Sequence, residues 1–320
     1  MEKVLGKYKR PIFTGVIIGV AVIALLLIIT DARGVLAVLS GFRLHYLPLI
    51  LLLAPLNYLL RYFKWNYFLK ISNLHPDPAI NRYIFLSGLS MTITPGKVGE
   101  LIKCYLLKEH INAPVSATSP IVMAERITDG MAMVILAAVG SLAHAYGGYI
   151  LLFTATALIL VVAVFHVDVL FDYFSSLYSQ VRYLKQLSNF MSAFQQNAKK
   201  LFTLKSLIVA VGLGVVSWGF EGLVIYLAVL AFGGSITVLG SIFVVSVSSI
   251  LGALSALPGG VVVAEGSIMG LLLLIGLSPE MAAATTLVTR FSTLWLGVGI
   301  GIVGLYLTQR VLLGAEAAGH

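Results

Sequence analysis

The stretch Leu257–Gly266 reads LPGGVVVAEG and lies inside one of the most apolar segments of a 320-residue chain. Pro258, Gly259 and Gly260 break any helix there, and a carboxylate, Glu265, follows seven positions after the proline. Backbone that leaves the helical ladder at membrane depth is tolerated only where protein or water satisfies its N–H and C=O groups. The break therefore marks a buried or water-lined turn rather than a lipid-facing one. Half-helices that meet at such a turn present free N–H groups and a positive dipole end, which suits an anion such as a phosphate. The plainer reading is a proline kink made for packing.

Membrane depth follows from composition. The chain is 59% hydrophobic and 11% charged, more apolar surface than a soluble domain of this length can bury. The chain is therefore expected to be an all-α polytopic integral membrane protein. A net charge of +8 reads as cytoplasmic loops held against anionic headgroups, and no basic face with stacking aromatics points to nucleic acid. Cys104 is the single cysteine, which rules out an intrachain disulfide, and the six histidines show no ligand spacing, so no metal and no cofactor is expected.

Six runs are long enough to cross about 30 Å of hydrocarbon: Ile12–Thr30, Leu47–Tyr67, Ile121–Ala143, Tyr149–Phe165, Leu207–Leu230 and Met281–Leu307. The first is too long for a signal-peptide core and is read as a retained helix. Two further stretches, Tyr83–Leu107 and Ser241–Leu277, are each split by a Pro-Gly element. With Lys3, Lys7, Lys9 and Arg10 on the cytoplasmic side, only Arg33 and Arg43 fall outside, provided both split stretches enter and leave on one side. The positive-inside rule thus favours two re-entrant hairpins, a cell-membrane location and cytoplasmic N- and C-termini.

The two split stretches also resemble each other. TPGKVGELIKCYLL carries Pro95, Gly96 and Glu100, and the second carries Pro258, Gly259 and Glu265. An arginine-bearing helix follows each, and proline to arginine is 31 positions for Arg126 and 32 for Arg290. One domain, residues 1–320, is expected to hold two repeats, about 10–145 and 149–310. Three full spans per half invert the second repeat relative to the first, and their hairpins would meet near the midplane. Residues 166–205 read as an amphipathic connector on the cytoplasmic surface.

An ionised side chain at the bilayer centre costs about 2.5–3.5 kcal/mol or more, so each is a functional suspect. Arg61, Lys64, Lys97, Lys103, Arg126 and Arg290 are candidates for holding a lipid headgroup or phosphate, guanidinium being suited to bidentate contact. Glu100, Glu125, Asp129, Glu221 and Glu265 are candidates for charge balance or proton coupling. Competing readings are snorkelling of Arg61 and Lys64 to the interface and a self-contained salt bridge around Glu125, Arg126 and Asp129, which share a helix face. No nucleophile constellation or GxxxxGK[ST] loop is present, so neither an enzyme nor direct ATP drive is expected.

RYFKWNYFL, TPGKVGELIKCYLL, ERITDGMAMVIL, LPGGVVVAEGSIMGLLLLIGLS and TRFSTLWLGVGIG, in this order, resemble the lysylphosphatidylglycerol synthase transmembrane region, the flippase part of the multiple peptide resistance factor proteins. The resemblance runs from about residue 10 to 310 and implies the lipid-translocating half without the synthase domain. It points to Arg61, Lys64, Glu100, Lys103, Arg126, Asp129, Glu265 and Arg290 as residues lining a headgroup cavity. The second turn, PGGVVVAEG, is less polar than in many relatives. The implied partners are membrane phospholipids or a lipid-linked substrate, with a homodimer and a separate lipid-modifying enzyme as further candidates. The implied function is a flippase or scramblase for an anionic or aminoacylated phospholipid. The alternatives are translocation of a polyprenyl-phosphate-linked sugar or glycolipid, and an anion channel built on opposed half-helices.

Overall fold

The computed structural model describes residues 30–94, 97–142, 197–255 and 257–318, with positions 17, 19, 21, 24, 28, 152 and 156. Most of the expected spans Ile12–Thr30 and Tyr149–Phe165, connector residues 166–196, and the turn residues Pro95 and Gly96 lie outside the described residues.

The described chain is helical. α1 (Ala32–Ser40) and a 3-10 turn (Leu44–Tyr46) lead into α2 (Leu47–Ile71). Then come α3 (Pro78–Leu89), a 3-10 turn (Val98–Leu101), α4 (Ile102–Ile111) and α5 (Val115–Ser141). The second part comprises α6 (Leu204–Ala231), α7 (Val238–Leu254), α8 (Val263–Leu274) and α9 (Pro279–Arg290). A π turn, Phe291–Trp295, joins α9 to α10 (Leu296–Ala318). Local chemistry sets the starts: Asp77, Thr237 and Ser278 cap α3, α7 and α9 with side-chain oxygens, and Pro78 and Pro279 occupy the first turn, where a missing N–H costs nothing.

This is an all-α membrane protein. Leu44–Ile71, Leu204–Ala231 and Pro279–Val311 are each long and apolar enough to cross a bilayer. α5, at 27 residues, has the length but carries Glu125, Arg126 and Asp129 in its middle. The arms of the broken stretches are shorter: 12 and 10 residues for α3 and α4, 17 and 12 for α7 and α8. At 1.5 Å per residue none reaches about 30 Å. In each stretch the two arms pack against one another.

The order of long helix, short helix, break, short helix, long helix occurs twice, as α2 to α5 and as α6 to α10. Packing between the parts is reciprocal. α2 lies against α6, α3 packs on α10, and α7 packs on α5. At the α3–α10 crossing, a Cβ on Gly301 would lie 2.1 Å from the backbone nitrogen of Ser90, so only glycine lets the two backbones approach this closely. Among the described residues, the largest apolar cluster joins Trp65, Phe68, Ile84, Phe85, Leu107 and Ile121.

Candidate functional site

Both breaks are tight turns, and they touch. In the first, Lys97 adopts φ 56° and Thr94 Oγ1 accepts from the Gly99 N–H at 2.9 Å. In the second, Gly259, Gly260 and Val262 have φ of 62°, 65° and 77°. A β-branched residue at positive φ is rare and strained, and such outliers cluster where a site is held in place. The Gly259 N–H points at the Thr94 carbonyl across 3.5 Å, so the tips of the two broken stretches meet.

Around the first turn runs a dense ionic network. Asp129 accepts from Lys64 on one oxygen, and its other oxygen lies 2.9 Å from Arg126 Nη2. Glu125 accepts from Lys103 at 2.5 Å. The Lys103 ammonium also sits 4.4 Å from the Trp65 ring centre, a favourable place for a desolvated cation. Glu100 gathers three cations: Arg126 at 3.5 Å, Lys103 at 3.8 Å and Arg61 at 3.9 Å. Such burial is tolerable only because each charge is compensated.

The second turn has one pair. Arg290 Nε donates to Glu265 Oε1 at 2.6 Å, and its Nη2 donates to the Gly259 carbonyl at 3.2 Å. Arg290 thereby ties the turn to the first turn of α8.

Between the turns lies a cavity of about 240 Å³. Arg61, Lys97, Arg126 and Arg290 line it, with Asp129 and Glu221 as the carboxylates and Tyr58 and Trp218 as the aromatic walls. Gly259 and Gly260 form part of the rim. Lys97 has no carboxylate within ion-pair distance among the described residues; its ammonium lies 5.6 Å from the Trp218 ring centre. Glu221 likewise has no cation within that distance among the described residues and accepts from Asn57 Nδ2 at 3.2 Å. Among the described residues, four buried donors of cavity-lining residues make no hydrogen bond: Arg61 Nε, Arg126 Nε and Nη2, and Trp218 Nε1, with Arg126 Nη2 meeting carboxylates as an ion pair alone. Buried donors left this way cost free energy until an acceptor reaches them. The arrangement can bind an anion.

The profile of the lysylphosphatidylglycerol synthase transmembrane region matches residues 16–301, which take in every charged residue of this site. The chain belongs to that family. It is also similar to a UPF0104 membrane protein of Pyrococcus horikoshii, 22% identical over 93% of this chain and 97% of that protein. A UPF0104 membrane protein of Methanocaldococcus jannaschii is 27% identical over 69% of this chain and 95% of its own. One from Methanothermobacter thermautotrophicus is 33% identical over 28% of this chain and 27% of its own. Family membership is compatible with a lipid-related membrane function.

Of the charged residues picked from the sequence, six line the cavity. Lys64, Glu100, Lys103, Glu125 and Glu265 stand behind them as ion-pair partners, and Pro258 belongs to the second turn. Arg61 and Lys64 are 6% and 1% exposed, so neither snorkels to an interface. Sequence reasoning missed Asn57, Tyr58 and Thr293. The first two sit one turn before Arg61 on the same helix face, a spacing that links them to a charge already suspected. The π turn that carries Thr293 has no sequence signal beyond the hydroxyls in TRFST.

Proposed function

We propose that the chain is a lipid transporter, a flippase or scramblase that moves an anionic or aminoacylated phospholipid between leaflets. The observation that carries this reading is the cavity at the meeting of two broken membrane stretches, lined by four cations and by four buried donors that make no hydrogen bond among the described residues. A phosphodiester supplies acceptors to those donors, and guanidinium groups bind it in a fixed fork geometry. A cavity of about 240 Å³ lies below the usual small-molecule range. It suits a phosphate with a small polar substituent, while the acyl chains stay in the bilayer. A polyprenyl-phosphate-linked sugar would present the same phosphate but carries a bulkier headgroup, so the phospholipid is favoured.

On this reading the two halves form an inverted-topology repeat of about six spans and two re-entrant hairpins, in the cell membrane with both termini cytoplasmic. Support comes from the repeated helix order and from the reciprocal packing of α3 on α10 and α7 on α5. Rocking one half against the other would open the cavity to alternate sides. The chain acts as a transporter rather than an enzyme, its partners being membrane phospholipids.

The test is leaflet exchange by the purified protein in liposomes. Fluorescent phosphatidylglycerol and a zwitterionic control lipid are followed by dithionite quenching, with and without a pH gradient. Exchange above that of empty liposomes is expected. Rates equal to those of empty liposomes for both lipids would overturn the proposal.

A further inference from the structure

Arg290 is the last residue before the π turn, and that turn controls its direction. A π turn carries one residue more than the α-helix it interrupts, and one residue is about 100° of rotation at 3.6 residues per turn. Whether Phe291–Trp295 is wound as π or α therefore decides which side of the helix axis α9 presents to the cavity. Here the Leu296 N–H reaches back to the Phe291 carbonyl, the i to i−5 bond of a π turn. Hydroxyl groups of this segment reach back to carbonyls of the last turn of α9. Ser292 Oγ donates to the Val288 carbonyl at 2.8 Å and Thr293 Oγ1 to the Thr289 carbonyl at 2.9 Å. The Thr293 carbonyl is reached from the other half of the molecule, by the Tyr58 hydroxyl of α2 at 2.5 Å. Tyr58 is 6% exposed. It fits there because position 297 is glycine: a Cβ on Gly297 would lie 2.5 Å from the Tyr58 oxygen.

We infer that Tyr58 is a positioning residue for Arg290. By holding the Thr293 carbonyl, its hydroxyl keeps the turn in the π form, and that form points the guanidinium at Glu265 and the cavity. Without the hydroxyl, a carbonyl at membrane depth loses this donor, and the segment compensates by rewinding toward the α ladder. Rewinding turns Arg290 away from the cavity. The inference rests on the reading of that cavity as the lipid phosphate site, but its physical content is the orientation of Arg290, which can be measured without any lipid.

Two variants disturb the contact by different routes. Tyr58→Phe removes the donor, and Gly297→Ala keeps the donor but pushes it off the carbonyl. The purified protein is treated with phenylglyoxal, an arginine reagent, and modification of Arg290 is followed by mass spectrometry with Arg126 of the same molecule as reference. Both variants are expected to slow Arg290 modification several-fold relative to Arg126. Phosphatidylglycerol exchange in liposomes is expected to fall about tenfold in each, the scale of one lost buried hydrogen bond. Because both changes act on one contact, the double variant should stay within about twofold of the worse single one.

Unchanged Arg290 reactivity in both variants, or losses that multiply in the double variant, would overturn the assignment. Should Tyr58→Phe fail to fold, Gly297→Ala carries the test alone. A wild-type protein that moves no lipid, but whose Arg290 reactivity responds as stated, would sink the transport reading and leave the positioning role standing. Lipid exchange with unresponsive Arg290 would do the reverse.

Discussion

Asp129→Asn should destabilise the protein far more than removing its partner, Lys64→Met, although both break the same ion pair. Lys64 is 1% exposed and Asp129 is the carboxylate within ion-pair distance of it. The asparagine variant keeps the volume but leaves a buried ammonium without a counter-ion, which costs about 3–5 kcal/mol. In Lys64→Met the situation differs: Asp129 keeps Arg126 at 2.9 Å, and the methionine retains the apolar stem. The expected cost is about 1–2 kcal/mol, that of an ordinary buried substitution. The double variant Lys64→Met/Asp129→Leu removes both charges, and Arg126 still has Glu100 at 3.5 Å. It should recover about 2 kcal/mol or more relative to Asp129→Asn, since an apolar pair of similar size commonly replaces a buried ion pair without loss. Reversible unfolding in mixed detergent micelles would give the three free energies. The reasoning fails if Lys64→Met costs as much as Asp129→Asn, or if the double variant gains nothing over Asp129→Asn.

Arg126→Ala and Arg290→Ala should each lower phosphatidylglycerol exchange by about tenfold or more, the scale of a lost charge-assisted contact to phosphate, while the protein elutes as a folded species; wild-type rates in both would contradict the phosphate assignment. Gly260→Ala, at φ 65° with its Cβ 3.1 Å from Gly252, should cost about 1–3 kcal/mol. Gly266→Ala, inside α8 with no atom within 4 Å of the new Cβ, should instead gain about 0.5–1 kcal/mol, and unfolding midpoints would separate the two. On the loop before α3, hydrogen bonds from the Ile80 and Ala79 N–H groups hold the Asp77 carboxyl below the ordinary carboxylate range. A depressed folded value means the contribution is present above the unfolded pKa and lost as pH falls through the folded one. The stability difference between wild type and Asp77→Asn should therefore be constant near neutrality and shrink below about pH 4; a difference that grows on acidification would contradict this.

The membrane class, the two breaks and the suspect charges were all legible in the sequence, because each is a local signal: an apolar run, a Pro-Gly pair, an ionised residue where water is absent. Arg126 and Asp129 share a face by their spacing of three, and the structure has them 2.9 Å apart. Lys64 and Asp129, by contrast, are 65 positions apart, and no spacing rule joins them. Which arginine faces the cavity and which lysine backs it depends on how α2, α5 and the first turn stack, and that is decided by packing. The Tyr58 contact spans 235 positions, and it ends on a backbone carbonyl, an acceptor every residue possesses. Such partners leave no mark in composition or periodicity. The resemblance between motifs nominated Lys103 and not Lys97 as a lining residue, whereas Lys97 faces the cavity and Lys103 is locked between Glu125 and an aromatic ring.

The two halves repeat in helix order but not in charge, and the difference has a consequence for cargo. Of the eleven charges singled out, the first half holds five cations (Arg61, Lys64, Lys97, Lys103, Arg126) and three carboxylates (Glu100, Glu125, Asp129). The second holds Arg290 with Glu221 and Glu265. Each half alone is imbalanced, in opposite senses, so the halves attract across the cavity, and one positive charge remains in excess when they are taken together. The surplus is not spread evenly: Lys97 is the lining cation with no carboxylate within ion-pair distance among the described residues, and it stands at the turn where the two breaks meet. Desolvated charge without compensation is costly, and a phosphodiester brings one negative charge. A single phospholipid headgroup of net charge −1 would therefore bring the set to neutrality, whereas a zwitterionic or aminoacylated headgroup or an uncharged glycolipid would leave the excess uncompensated and a headgroup with a second net negative charge would overshoot it. On electrostatic grounds the cavity should prefer one phosphate at a time, and replacing Lys97 by methionine should weaken retention of phosphatidylglycerol while leaving the ion pairs behind the cavity, and hence the fold, intact.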